Sequence, residues 1–191
     1  MSRIKRLQKE IKGAEVSIER MSEEDVEDVM KIQKASCHFN EFHDSESTFM
    51  KVLEFFPEGC ACLLVNGKKV GFIMCYPVIR GAEHLHKSRD NLSLTGKEDC
   101  LFIHEISIHP LFQRRGLIKP LFNYFNNLTN KLALKFQSLV AIPNFIEGTQ
   151  EGQLIYHQTA SFWNKVKGFK YKKYFPYKGM PTYYMEKKLN S

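Results

Sequence analysis

The first clear pattern along the chain is a short alternation. Val16 and Ile18 are apolar between Glu15, Ser17 and Glu19, which is the period-two signature of a strand. The period then lengthens. Ser22 precedes EEDVEDVMKIQKAS, where Val26, Val29, Met30 and Ile32–Gln33 follow helical spacing, and Ser22 with Asp25 has the spacing of a capping box. A polar and aromatic stretch from Cys37 to Ser47 leads to a second short helix, predicted over Phe49–Phe56 and stopped at Pro57-Glu58-Gly59. Two apolar runs follow, Cys60–Val65 and Val70–Tyr76. Asn66-Gly67 lies between them, and this pair supplies the positive φ angles of a two-residue hairpin turn.

Residues 80–99 are polar and read as a long surface loop. Cys100–Ile108 is a strand, followed by a turn and a helix from about Leu117 to Lys135. Leu139–Ile142 is a short strand and Leu154–Lys167 a helix. The tail FKYKKYFPYKGMPTYYMEKKL reads as two β arms joined at Lys178-Gly179. The order β-α-α-β-β-β-α-β-α-β-β predicts an α/β or α+β layered domain. No repeat and no second linker interrupts the 191 residues, so 14–191 read as a single domain behind a polar arm of residues 1–13.

Composition sharpens this picture in three places. Apolar residues make up 43% of the chain, with 15 Phe and 8 Tyr, enough to bury a core. No apolar stretch approaches the length of a membrane span, and the basic start MSRIKRLQKEIKG has no apolar run after it, so a soluble cytoplasmic protein is expected. The five cysteines, Cys37, Cys60, Cys62, Cys75 and Cys100, are odd in number and lack paired metal-ligand spacing; buried free thiols are expected, and no metal. The net charge of +7 fits a basic surface, a nucleic acid or a ligand with several phosphates. The basic residues are scattered and no nucleic-acid motif appears, so nucleic acid is not the expected partner.

The candidate chemistry lies where the Cys100–Ile108 strand runs into Gln113-Arg114-Arg115-Gly116-Leu117-Ile118 and a helix. The first turn of a helix carries unpaired N–H groups and partial positive charge, and a glycine lets a phosphate approach the backbone. Arg114, Arg115 and Lys119 add charge. This is an anion site, or else an ordinary exposed turn.

ISIHPLFQRRGLI resembles the main cofactor motif of the GNAT superfamily of acetyl-CoA-dependent N-acetyltransferases, in which an apolar strand ending in Val/Ile-x-Pro precedes Gln/Arg-x-x-Gly-x-Gly/Ala at a helix start. The resemblance implies that backbone amides of Arg114, Arg115, Gly116, Leu117, Ile118 and Lys119 hold the pyrophosphate of acetyl-CoA, with Gln113 beside them among the cofactor-binding residues. It implies that Ile106, Ser107 and Ile108 pair with the pantetheine arm. Ile118 departs from the motif, which has a second small residue there. Downstream, His157-x-x-Ala160-x-x-Trp163-Asn164-x-x-x-Gly168-Phe169 is similar to the family's Asn-x-x-Ala-x-x-Phe-Tyr-x-x-x-Gly-Phe helix, which adds His157, Trp163 and Asn164 to the cofactor contacts. LFIHEISIHP and the tail resemble a bacterial-type branch with Tyr-Leu-His-Asp-Leu on this strand, so the likeness spans about residues 14–189. The implied fold is a mixed, mostly antiparallel central sheet with a splayed strand and about four flanking helices.

The implied reaction is direct acetyl transfer to a primary amine in a ternary complex, by a monomer or homodimer, with a small-molecule amine as acceptor. It needs a base for the amine proton and a donor for the carbonyl oxygen. His104 is the first candidate base. Glu105 is the second, acting through water or as the ligand of the incoming ammonium. Strict alternation puts Phe102, His104 and Ile106 on one face and Glu105 on the other, unless a bulge intervenes. A structural His–carboxylate pair is the bland alternative. The family's thiolate-protonating tyrosine is matched by Asn164, which is no acid; Tyr156 and Tyr171 are nearby. Candidate acceptor-site residues are His38, Glu41, His43, Asp44 and Glu46, with His84, His86 and Arg89. Competing functions are transfer of another acyl group, acetylation of a protein amine, and a non-catalytic acyl-CoA sensor.

Overall fold

The structure is a computed structural model and describes residues 13–37, 43–81, 92–141, 163, 168–177 and 180–189. The predicted arm, apart from Gly13, and the His84–Arg89 segment lie outside the described residues. Seven strands form one sheet in the order β1-β2-β3-β4-β5-β7-β6. They are β1 Val16–Arg20, β2 Cys60–Val65, β3 Lys68–Val78, β4 Cys100–Ile108, β5 Phe136–Ala141, β6 Lys170–Tyr177 and β7 Met180–Lys188. β4 and β5 are parallel; β1–β2, β2–β3, β5–β7 and β6–β7 are antiparallel. Three α-helices are described, α1 Val26–Ser36, α2 Glu46–Phe55 and α3 Ile118–Lys131. The fourth predicted helix, Leu154–Lys167, lies outside the described residues except for Trp163, which is helical.

Local chemistry explains the boundaries. The Asp25 carboxylate accepts from the Ser22 backbone N–H at 2.7 Å and from its hydroxyl at 2.9 Å, which fixes the turn leading into α1. The second helix starts at Glu46, three residues before the sequence-based expectation, because Ser45 caps it and accepts from the Thr48 N–H at 3.3 Å. The β2–β3 turn has Asn66 and Gly67 at φ 50° and 73°, as its sequence demands. α3 stops at Lys131, not Lys135. Ala133 turns left-handed at φ 53°, and the Leu134 N–H donates back to the Thr129 carbonyl at 3.1 Å. The Lys135 and Phe136 amides then bond the Asp99 carbonyl, so β5 begins at Phe136 and not at Leu139.

The chain forms two compact units. The first takes in β1, α1, α2, β2, β3 as far as Cys75, and Glu105–Leu128. Its core includes Val29, Phe49, Val52, Leu63, Phe72, Leu121 and Phe125, with Phe49 edge-on to Phe72 at 5.8 Å. The second takes in Tyr76–His104 and Thr129–Ser191. Its core includes Tyr76, Leu101, Phe102, Leu139, Trp163, Phe169 and Met185, with Trp163 edge-on to Phe169 at 5.9 Å. Cys60, Cys62, Cys75 and Cys100 are buried free thiols, and Cys37 is a half-buried one. Burial pushes the thiols of Cys60, Cys62 and Cys100 up to about 12. Among the described residues, no helix is long and apolar enough to cross a membrane.

Candidate active site

β4 positions the candidate groups, and its geometry departs from strict alternation. At one end the His109 N–H donates to the Val70 carbonyl; at the other, the Asp99 N–H donates to the Val78 carbonyl. Ten residue steps on the β4 side, from 99 to 109, therefore face eight on the β3 side, from 70 to 78. β4 carries two extra residues over this span, the signature of bulging, which re-aims side chains. Its parallel ladder with β5 runs from Cys100↔Phe136 to Ile103↔Leu139, and β4 continues past it to Ile108. Burial changes at the same place: Cys100–Ile103 are buried, His104–Ser107 half-buried.

His104 shares an aromatic cluster with Tyr76, which lies 5.8 Å from its ring and 5.6 Å from that of Phe102. Phe102 and His104 thus occupy the same side, as alternation predicts. Glu105 is held from α1. Its Oε2 accepts from Gln33 Nε2, and its Oε1 accepts from Ser107 Oγ at 2.9 Å. Ser36 Oγ stands 3.2 Å from Ser107 Oγ and 3.0 Å from the Gln33 carbonyl, so its one proton serves one of them at a time. Gln33 Oε1 accepts from the Asp44 N–H at 3.1 Å.

The turn after β4 is a 3-10 turn, Pro110–Phe112, whose Leu111 N–H donates to His109 Nδ1. Gln113 bonds backward at both ends: its N–H to the Pro110 carbonyl and its Nε2 to the Ile108 carbonyl at 2.8 Å. Arg114 and Gly116 adopt left-handed φ of 59° and 76°. Among the described residues, the amides of Arg114, Gly116 and Leu117 donate to no carbonyl, and a Cβ built on Gly116 would meet nothing within 4 Å. Gly116 is therefore required by its conformation rather than by crowding, and its backbone is open to a ligand. Arg114 and Lys119 are exposed, and the Arg115 guanidinium lies 5.6 Å from the Phe112 ring centre. Ile118, the departure from the motif, is half-buried at the start of α3. Three amides that donate to no carbonyl, an open glycine and three cations suit a pyrophosphate.

The structure therefore brings Ile106, Ser107 and Ile108 and the loop from Gln113 to Lys119 into one unit with Glu105. His157 and Asn164 lie outside the described residues, as do His38, Glu41 and Tyr156. Trp163 is a buried packing partner of Phe169, and Tyr171 is exposed on β6, edge-on to Tyr183 at 5.4 Å. Among the described residues, no three His, Cys, Asp or Glu side chains gather into a group able to hold a metal ion. The residue that sequence reasoning missed is Gln33. The available signal was its place on the apolar stripe of α1, where a polar side chain must find partners.

A mixed, mostly antiparallel sheet whose central strand feeds a basic, glycine-bearing turn at a helix start defines an α+β scaffold. The model of the acetyltransferase (GNAT) family matches residues 26–125, more than half of the chain, which belongs to this family. No curated protein matches it in sequence. Among solved structures it is similar to Ard1 from Thermoplasma volcanium, with a TM-score of 0.67 at 18% identity over 92% of this chain and 99% of that one. It is similar to the PaiA N-acetyltransferase of Thermoplasma acidophilum in complex with coenzyme A, with a TM-score of 0.63 at 14% identity over 92% and 99%. A third is YncA, a putative acetyltransferase from Salmonella typhimurium bound to acetyl-CoA, with a TM-score of 0.57 at 15% identity over 92% and 94%.

Proposed function

We propose that the chain transfers an acetyl group from acetyl-CoA directly to a primary amine within a ternary complex. The observation that carries this reading is the turn from Arg114 to Lys119, where the Arg114, Gly116 and Leu117 amides donate to no carbonyl among the described residues, Gly116 is open and cations cluster at the start of α3. The amides of Arg114, Gly116 and Leu117 would hold the pyrophosphate and the Ile106–Ile108 backbone the pantetheine arm. When bound, acetyl-CoA supplies the thioester carbonyl carbon. The ammonium first gives one proton to the base; the neutral nitrogen then attacks the carbonyl carbon, the carbon–sulfur bond breaks, CoA leaves as its thiolate, and the second nitrogen proton ends on that thiolate.

His104 takes the first proton. Its imidazole stands just past the end of the β4–β5 ladder, half-buried and oriented against Tyr76. Glu105 receives the cationic amine before it is deprotonated, since each of its oxygens already accepts a hydrogen bond and its charge is thereby fixed in place. The acceptor is a small, cationic primary amine.

Thiol release measured over a panel of primary amines with acetyl-CoA tests the proposal. Release that depends on one amine class, and is lost in His104→Ala, is expected. No release with any amine, or unchanged rates in both His104→Ala and Glu105→Ala, would overturn it.

A further inference from the structure

Gln33 presents a buried amide with both ends used. Its residue is 1% exposed, so an unmet donor or acceptor there would be costly. The orientation of the amide is fixed by chemistry: a backbone N–H can only donate, so the group facing Asp44 N is Oε1. Nε2 must then face Glu105, whose ionised carboxylate only accepts. One side chain thereby ties β4 to the residue two positions before the first turn of α2, across 72 positions of sequence on one side and 11 on the other. Ser107 holds the second carboxylate oxygen.

We propose that Gln33 is the positioning residue that orients Glu105 toward a cationic acceptor amine, and so sets the affinity for that amine. This rests on the acetyl-transfer reading above. A carboxylate that pivots freely offers its charge in many directions; one clamped at both oxygens offers it in one. An incoming ammonium then meets a preorganised partner and forfeits less on binding. The Asp44 end joins this clamp to the segment that enters α2, where the acidic Asp44 and Glu46 stand. A neutral amine gains little from such a group, so Gln33 favours amines that are charged in solution.

The test is steady-state kinetics of Gln33→Met, which keeps the length of the side chain and removes both hydrogen bonds. KM for an alkyl amine is expected to rise about tenfold, the scale of a hydrogen bond to a charged group. KM for acetyl-CoA should hold and kcat should change by less than about threefold. In a Glu105→Gln background the same substitution should add nothing further. An unchanged KM for the amine, or an equal rise in both KM values, would overturn the inference while leaving the reaction intact. Turnover of no amine by the unaltered chain would instead remove the reading beneath it, and this inference with it. Should Gln33→Met not fold, Ser107→Ala must show the same split in smaller measure; its absence there also refutes the role.

Discussion

Replacing His104 by alanine removes the proposed proton acceptor and leaves the sequence of the Arg114–Lys119 turn unchanged. The expected result is a fall in kcat of about a hundredfold or more with little change in KM for acetyl-CoA, read from initial rates at saturating amine. Gly116 separates the other half of the site. At φ 76° any side chain is strained, although space around it is open. Gly116→Ala should therefore cost about 1–2 kcal/mol of loop geometry, read as about a tenfold weaker affinity for acetyl-CoA with kcat retained. The cysteines offer a third check. Four are buried, and burial drives the thiols of Cys60, Cys62 and Cys100 up to about 12. Native alkylation near pH 8 should mark Cys37 first, and denatured protein all five, as counted by mass spectrometry. At this scale the basic, glycine-bearing turn between β4 and α3 was legible in the sequence, because its signals are local. The Gln33–Glu105 contact was not, because its two ends are far apart in the chain and a polar residue on an apolar stripe does not name its partner.

Elements are held in register by interactions of a different kind. Lys69, at the start of β3, pairs with Asp25 at 2.5 Å and Asp28 at 3.2 Å, fastening the β2–β3 hairpin to the first turns of α1. Burial raises the Asp25 carboxyl, but hydrogen bonds from Lys69 and Ser22 outweigh it and leave the group below the usual carboxylate range. Lys69 is raised, chiefly by its hydrogen bond to Asp25, with burial opposing. The signs follow by linkage. The Asp25 contribution is present above its unfolded pKa and is lost as pH falls through the lower, folded value. The Lys69 contribution is present below its own unfolded pKa and is lost only when pH rises through its folded value. Lys69→Met should thus lower Tm at neutral pH by about 2–4 °C, on the order of 1 kcal/mol, and the difference from the unaltered chain should shrink at acid pH. A melting series between pH 3 and 8 checks this, and a constant difference would refute it. Most elements were legible. Cys60–Val65, Asn66-Gly67 and Cys100–Ile108 were read directly from period and turn chemistry, with strand bounds that match. The start of α2 and the end of α3 were misread, because Ser45 and the left-handed Ala133 decide them, while the apolar pattern runs on past both. The two extra residues of β4 have no sequence signature, since a bulge is defined only against the partner strand.

At the scale of the whole molecule, the net charge of +7 acquires a local address. Arg114, Arg115 and Lys119 stand within six residues on a turn whose Arg114, Gly116 and Leu117 amides donate to no carbonyl among the described residues, the place proposed above for a ligand with several phosphates. Binding of acetyl-CoA should then depend on salt, because exposed cations are screened over a Debye length of about 10 Å at 0.1 M and about 3 Å at 1 M. A scattered surface charge with no site would give a chain indifferent to the nucleotide at any salt. Mass action sets the size of the effect: a ligand at a hundred times its Kd stabilises the folded chain by about 2.7 kcal/mol, which for this length is about 5–10 °C in Tm. Acetyl-CoA and CoA should both produce this shift, since the turn would recognise the phosphates they share. Pantetheine, which lacks the pyrophosphate and nucleotide, should produce far less. Arg114→Ala combined with Lys119→Ala should flatten the salt dependence while leaving the melting temperature of the ligand-free chain in place, since both side chains are exposed. Equal shifts from acetyl-CoA and pantetheine would move the binding energy away from the turn and remove the main support for the proposed reaction.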